Sequence, residues 1–277
     1  TDKAVTIWGK TTTETVVVAS GVSANITLSG VNIDVSGTYK ACAFKIADNS
    51  TGNVKITLVG KNILKSGENS AGLQKNSKNT DTVTVGNLTI TGDGSLTAKG
   101  GKDGAGIGGG YNRTGTDITI SGGTVTATGG TYGAGIGGGD GGTGTGITIN
   151  GGTVTATGGD DGAGIGGGRK GTGTDITISG GSVKAIAGNS ANAIGGGCDK
   201  SPVTPTNKSK ESVYLLEITN EDGKDIVINY KDYPDSHGEE KKIYAYLPAK
   251  TVEDGNRVAV GEKVICYYYD EAAWKTD

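Results

Sequence analysis

The feature that most constrains this chain is a repeat. The run Gly-Ala-Gly-Ile-Gly-Gly-Gly begins at Gly104, Gly133 and Gly162, and a decayed copy, Ala-Asn-Ala-Ile-Gly-Gly-Gly, begins at Ala191, so the step is 29 residues each time. Other positions keep the same step: Ile118/Ile147/Ile176, Ile120/Ile149/Ile178, Val125/Val154/Val183 and Ile107/Ile136/Ile165/Ile194. Each repeat holds three short segments in which aliphatic and small polar residues alternate, separated by Gly-rich corners. Alternation with period two marks strands. A fixed period of this length marks a solenoid, in which equivalent residues lie above one another.

Before residue 100 the pattern is looser but traceable. Ile26/Leu28, Ile56/Leu58 and Leu88/Ile90 fall in a first column, Ile33, Ile63 and Leu96 in a second, and Ile46 and Leu73 in a third. Three strands per turn, stacked turn on turn, predict an all-β fold: a parallel β-helix of about six rungs over residues 26–200, right-handed by the usual rule for parallel crossovers. With ~4.8 Å between stacked strands, six rungs make a rod of roughly 29 Å. One rung cannot fold alone, because about four buried aliphatic side chains at ~1.5–3 kcal/mol each do not offset ~1–2 kcal/mol per ordered residue. Stability must come from stacking neighbours.

Composition narrows the alternatives. Of the 277 residues, 53 are Gly and only 4 are Pro, so collagen, which needs Gly at every third position and abundant proline, is excluded. A hydrophobic share of 33% and a net charge of -3 argue against disorder. No apolar run approaches the ~18 residues of a membrane span, so a soluble protein without one is expected. Of the glycines, 49 precede residue 201, whereas all four prolines follow it, which sets a boundary near residue 200. Residues 199–210, with Pro202 and Pro205, read as an extended linker. Residues 1–25 are expected to cap the first rung, with Trp8 covering it. Residues 201–277 read as a small antiparallel β domain with turns at Asp222-Gly223 and Asp254-Gly255, and they hold eight of the eleven tyrosines. Neither part carries the basic stripe of a nucleic-acid binder. The chain starts at Thr1 with no charged-then-apolar leader, which fits a removed signal peptide or a cut chain.

Catalytic patterns are weak. His237 is the sole histidine and sits in a turn. No glutamate occurs between Glu68 and Glu211, which leaves few partners for a pair of glycosidase carboxylates. Residues 104–110 lack the Lys-Ser/Thr of a phosphate-binding loop. Threonine ladders at Thr124/Thr153 and Thr126/Thr155 suggest an ice-binding array, but Lys184 interrupts it. Three cysteines do not make a disulfide framework; Cys42 and Cys198 lie too many rungs apart to bridge, which leaves Cys198 with Cys266 as the one candidate pair, with free buried thiols as the alternative.

Positions where a strict repeat varies are the most informative, because in solenoids such variation gathers on one face. After the Gly-rich segment, Tyr111-Asn112-Arg113 gives way to Asp140-Gly141-Gly142 and then to Arg169-Lys170-Gly171. Before it, Lys102-Asp103 gives way to Thr131-Tyr132 and then to Asp160-Asp161. Tyr111, Arg113, Tyr132, Asp140, Asp160, Asp161, Arg169 and Lys170 therefore form a candidate ligand-binding set. Aromatic faces stack on sugar C–H groups, and Asp and Arg bond hydroxyls or carboxylates.

The Gly-rich segments at 104–110 and 133–139, the run Ile-Thr-Ile-Ser-Gly-Gly-Thr-Val-Thr-Ala-Thr-Gly-Gly at 118–130, and the looser Asn25-Ile26-Thr27-Leu28 and Ala43-Phe44-Lys45-Ile46 resemble the Gly-rich parallel β-helix modules of large surface proteins in gram-positive gut and soil bacteria. Such modules are similar to carbohydrate-binding β-helix domains and lack the catalytic pattern of pectate lyases. The resemblance covers residues 15–198. It implies a non-enzymatic, extracellular protein, secreted or held at the cell surface, with a polysaccharide as partner. The alternative is a structural spacer or adhesin binding a host or cell-wall protein, ahead of a polysaccharide lyase or an ice-binding protein. No cofactor is expected, with calcium as the one ion left open.

Overall fold

The computed structural model describes residues 3–77, 85–203 and 205–206, and the backbone of six strands beyond them: Tyr214–Asn220, Ile226–Lys231, Ile243–Leu247, Arg257–Val260, Ile265–Asp270 and Ala273–Thr276. The described residues contain no helix, hence none long and apolar enough to cross a membrane.

The chain winds as three columns of strands. The first column stacks residues 24–29, 54–59, 88–92, 118–120, 147–149 and 176–178 in parallel. The second stacks residues 31–34, 61–65, 95–99, 124–128, 153–157 and 182–186, also in parallel. The third is narrower: Phe44–Ile46, Leu73–Ser77, Ile107–Gly108, Ile136–Gly137, Ile165–Gly166 and Ile194–Gly195. These six turns are the predicted parallel β-helix, and from residue 118 onward the register is the 29-residue step itself, with Ile118 opposite Ile147 and Ile147 opposite Ile176.

Alternation decides which side chains enter the rod. In a typical turn Ile118, Ile120, Val125, Ala127 and Ile136 are all fully buried, and the next turn repeats them as Ile147, Ile149, Val154, Ala156 and Ile165. The core is thus a set of continuous aliphatic stacks, each side chain resting on its own equivalent one turn away. At the position after each third-column isoleucine, successive turns lie so close that a side chain is excluded. Gly137 has φ of +133°, and a Cβ there would stand 2.0 Å from the carbonyl oxygen of Gly166. Gly108, Gly166 and Gly195 hold the same conformation in the other turns.

The looser turns differ from the sequence reading in register. Leu88 pairs with Val54 and Ile90 with Ile56, so the first-column alignment of Leu88 with Ile56 is corrected by two residues. Between Leu58 and Leu64 the chain carries one residue more than between Leu28 and Ile33, and a one-residue slip turns side chains to the opposite face. As a result Ile63 leaves the second-column stack. Asn62 takes the place between Val31 and Leu96 at 0% exposure. Its amide is satisfied there: Oδ1 accepts from Val31 N–H at 2.9 Å, and Nδ2 donates to the Ser95 carbonyl at 3.1 Å and the Val59 carbonyl at 3.2 Å. In the third column Leu73 stacks on Phe44, and Ile46 pairs with Lys75.

Lys75 is therefore a lysine in an aliphatic position, 4% exposed, whose Nζ donates to the Thr116 carbonyl at 2.7 Å. Desolvation lowers its pKa to about 8, against a smaller opposing effect of Asp117. Cys42 is also held inert, its Sγ 3.3 Å from the Phe44 carbonyl and its pKa raised by burial to about 12.

The two ends depart from expectation as well. Residues 3–18 are not a separate cap. Lys3–Thr11 pairs in parallel with Ala24–Asp34, and Val16–Val18 with Phe44–Ile46, so they lay one further turn on the rod. Val5 and Ile7 stand opposite Ile26 and Leu28. Trp8 does not cover this end: it sits at a register shift before Gly9 and is 77% exposed. At the other end, residues 201–203 and 205–206 of the expected linker lie across the last turn. Val203 N–H donates to the Ile194 carbonyl at 3.2 Å, and Thr206 bridges Thr177.

Two outcomes follow. Gly137→Ala should lose at least about 2 kcal/mol in denaturant unfolding, whereas Gly37→Ala, with open space around its Cβ, should change stability by under ~0.5 kcal/mol. Between pH 8 and 10.5 unfolded Lys75 binds a proton that the folded residue has released, so stability rises with pH in that window. Lys75→Met should raise stability at pH 7 by about 1–2 kcal/mol and should flatten that rise relative to the parent in parallel melts.

Candidate functional site

Each third-column strand is the centre of a tight loop. Ala105 N–H donates to the Gly109 carbonyl at 2.9 Å, Ala134 to Gly138 at 3.0 Å, and Ala163 to Gly167 at 3.0 Å, so the residues before and after the Gly-rich segment are drawn together. A second set of bonds then joins the flanks across turns. Asp140 N–H donates to the Asp103 carbonyl at 2.8 Å, Arg169 to Tyr132 at 2.8 Å, and Cys198 to Asp161 at 2.9 Å. Both variable flanks thereby reach a single edge of the rod. Lys170, at φ +61°, and Asn112, at φ +52°, take the left-handed turn that Gly141 takes between them.

On this edge the side chain of Arg169 contacts those of both Asp140 and Tyr132. Arg169 grips Asp140 with two bonds, Nε to Oδ1 at 2.9 Å and Nη2 to Oδ2 at 2.6 Å. Its guanidinium carbon lies 3.7 Å from the centre of the Tyr132 ring, and Lys102 Nζ lies 5.5 Å from the same centre. Asp140 is 5% exposed, and the bond to its carboxylate binds the Arg169 proton more firmly than usual. Asp103 is buried beside it, and desolvation, followed by the charges of Asp140 and Glu68, raises its pKa. Asp161 adds its field to Arg169 and to Cys198, whose thiol is raised by desolvation and by Asp199.

The remaining expected residues are more scattered. Tyr111 is exposed at the same edge, its N–H donating to the Asn69 carbonyl at 2.9 Å. Asp160 and Lys170 are exposed and Arg113 is half-buried, and none of the three forms a salt bridge among the described residues. Lys102 and Asp103, noted in the sequence only as part of a varying flank, belong to the cluster through Tyr132 and Asp140. The in-register contacts that would have shown this depend on the cross-turn bonds.

Among the described residues no group of three or more His, Cys, Asp or Glu side chains is arranged to hold a metal ion. His237 and Cys266 lie outside the residues whose side chains are described, as do the tyrosines beyond residue 206. Cys42 and Cys198 carry free thiols. The outer face of the second column carries Thr126 over Thr155, followed by Lys184, so the threonine ladder ends in a charge.

Comparison with protein families fits this geometry. A family model described as a β-helix repeat matches residues 88–111, 118–140, 147–169 and 176–198. These four stretches are similar to that repeat. Each runs from the first column through the second to the third and ends at the edge that carries Tyr111, Asp140, Arg169 or Cys198. No curated protein and no solved structure matches the chain.

The Asp140–Arg169 pair should hold the second and third repeats' corners in place. A double-mutant cycle with Asp140→Asn and Arg169→Gln should give a coupling energy of about 1–3 kcal/mol, above the range of an exposed pair because Asp140 is buried.

Proposed function

We propose that this chain is a non-enzymatic carbohydrate-binding module of an extracellular bacterial protein, secreted or at the cell surface, with a polysaccharide as its partner. The observation that carries the reading is the gathering of Lys102, Tyr132, Asp140 and Arg169 on the edge where the otherwise strict repeats vary. In a stacked rod, side chains that change from turn to turn at one edge make a surface with a graded pattern of donors, acceptors and ring faces. A long polymer of sugars is a matching ligand. The exposed carboxylates of Glu68 and Asp160 supply acceptors for hydroxyl groups, exposed Lys170 and Tyr111 supply donors, and the rigid core beneath them requires little ordering on binding. No cofactor enters this reading.

Residues 201–277 are proposed to form a small antiparallel β domain at the end of the rod. The pairing of Tyr214–Asn220 with both Ile226–Lys231 and Ile243–Leu247, and of Arg257–Val260 with Ile265–Asp270, supports it. A second reading, an adhesin or spacer that meets a host or cell-wall protein, draws on the exposed Val5, Trp8 and Val17 of the first turn.

A glycan array probed with the purified protein and with the triple variant Arg113→Ala/Tyr132→Ala/Lys170→Ala separates the two. Binding by the parent and at least tenfold weaker binding by the variant are expected, with circular dichroism confirming that the variant is folded. Silence of the parent across plant, microbial and host glycans would overturn the reading. Arg169 is left intact because its removal would strand the buried Asp140 carboxylate.

A further inference from the structure

The two ends of the rod close their ladders differently. At the end that follows Ile194 every column is covered. On the first column Ile178 N–H donates to the Thr206 carbonyl at 2.6 Å and Thr206 N–H to the Ile176 carbonyl at 3.0 Å, and on the third Gly196 N–H donates to the Ser201 carbonyl at 2.9 Å. On the second, Ile243–Leu247 pairs antiparallel, with Tyr246 and Ala245 opposite Val183 and Lys184. The end built by residues 3–18 has no such cover. Among the described residues Lys3–Thr11 pairs with Ala24–Asp34 alone and Val16–Val18 with Phe44–Ile46 alone, so one side of each strand keeps its backbone groups unpaired.

The face at this end is apolar. Val5 and Ile7 stand over Ile26 and Leu28, in line with the core stacks, yet Val5 is 47% exposed because no further turn rests on it. In the second column Gly9 lies over Val31 and Thr11 over Ile33, and these small residues leave a gap of about 210 Å³ whose walls include Ile7, Trp8, Val16, Val31 and Ile33. Sheet edges are ordinarily protected by proline, by charge or by a covering segment. From Ala4 to Gly9 this edge carries neither proline nor charge. The ladder itself specifies what fits. A strand added here continues a parallel stack, so its side chains alternate in and out with those of Lys3–Thr11, and its inward positions must be aliphatic to cover Val5 and Ile7. A second copy of the chain matches poorly: two open ends facing each other would bring four lysines and no acid onto the paired strands, since Lys3–Thr11 holds Lys3 and Lys10 and no carboxylate.

We propose that this open end docks an extended segment of a partner protein, which adds as a parallel strand along Lys3–Thr11, its alternate aliphatic side chains resting on Val5 and Ile7 and a large one filling the gap beside Trp8. In such strand addition main-chain bonds supply the affinity, and the pockets for alternate side chains supply the choice of partner. The proposal rests on the second reading above, an adhesin or spacer that meets a protein, and gives it a surface and a kind of partner. It does not depend on carbohydrate binding.

The probe is an acetylated, amidated peptide with the sequence of residues 24–34, which already fits a parallel ladder with Lys3–Thr11, measured by isothermal titration calorimetry on the full chain. It should bind at least tenfold more tightly than a peptide of the same composition whose alternation is scrambled. A parallel ladder bonds through alternate residues of each strand, so N-methylation of one alternate set in the peptide should cost at least tenfold and of the other set less than threefold. Val5→Lys should lose at least tenfold, whereas Val59→Lys, the same change at a valine of similar exposure elsewhere, should stay within twofold, with circular dichroism checking that both fold. Equal affinity for the two peptides, equal effects of the two methylated sets, or equal losses in both lysine variants would overturn strand addition at this end. A chain that sediments as a dimer and becomes monomeric on Val5→Lys would overturn it too, by making a second copy the occupant. If a host or cell-wall protein on an array binds the parent and Val5→Lys equally, the docking end fails and the adhesin reading stands. If neither the peptide nor any arrayed protein binds, both fail.

Discussion

The structure depends on one constraint: each residue rests on its own equivalent one turn away. In-register parallel stacking makes every position of the repeat a column, and a column tolerates only what can lie against a copy of itself. Aliphatic side chains meet that condition by dispersion and by exclusion of water. Glycine meets it in the third column, where the carbonyl of Gly166 occupies the space of a Cβ on Gly137. Charges do not meet it, and the rod shows three remedies. Asp34 is placed under Lys65, Arg169 reaches across a turn to Asp140, and Lys75 is turned inward onto a backbone carbonyl.

How much of this could be read in the sequence follows from the same constraint. Where the repeat is strict, from Ile118 to Ile194, spacing alone gives the columns, their parallel sense and the buried residues, since any other register would break several stacks at once. Before residue 100 the spacing varies, and one extra residue near Lys61 is enough to move Ile63 out and Asn62 in. No local signal marks that change, because an asparagine becomes a satisfied core residue only when Val31, Val59 and Ser95 present their backbone groups to it. The first turn shows in the sequence only as Val5 and Ile7, which alternate as Ile26 and Leu28 do. A lone turn at the start of a solenoid, however, has only one neighbour to define it.

The candidate edge was legible as a list and not as a site. Variation at Tyr132, Asp140 and Arg169 stands out against the repeat, but that the flanks before and after the Gly-rich segment meet depends on the short bonds that close each loop, such as Ala134 to Gly138. Proximity then changes the meaning of the residues. Arg169 is occupied by Asp140 and Tyr132, so it shapes the edge, while Lys170 and Tyr111 remain exposed. Lys65 and Lys99 are 34 residues apart, outside the 29-residue step, and only the irregular turns bring them into one column.

The closing bonds of the Gly-rich loops and the uniform register of the last four turns give the rod a discrete length scale. A duplication or deletion of one whole unit leaves every carbonyl facing a glycine and every isoleucine facing an isoleucine. A change of any other size misplaces all the columns beyond it. A gene built this way can lengthen or shorten its product by recombination between its own repeats, one strand spacing at a time. Each added unit also brings a fresh pair of flanks to the edge, free to acquire a different pattern of side chains.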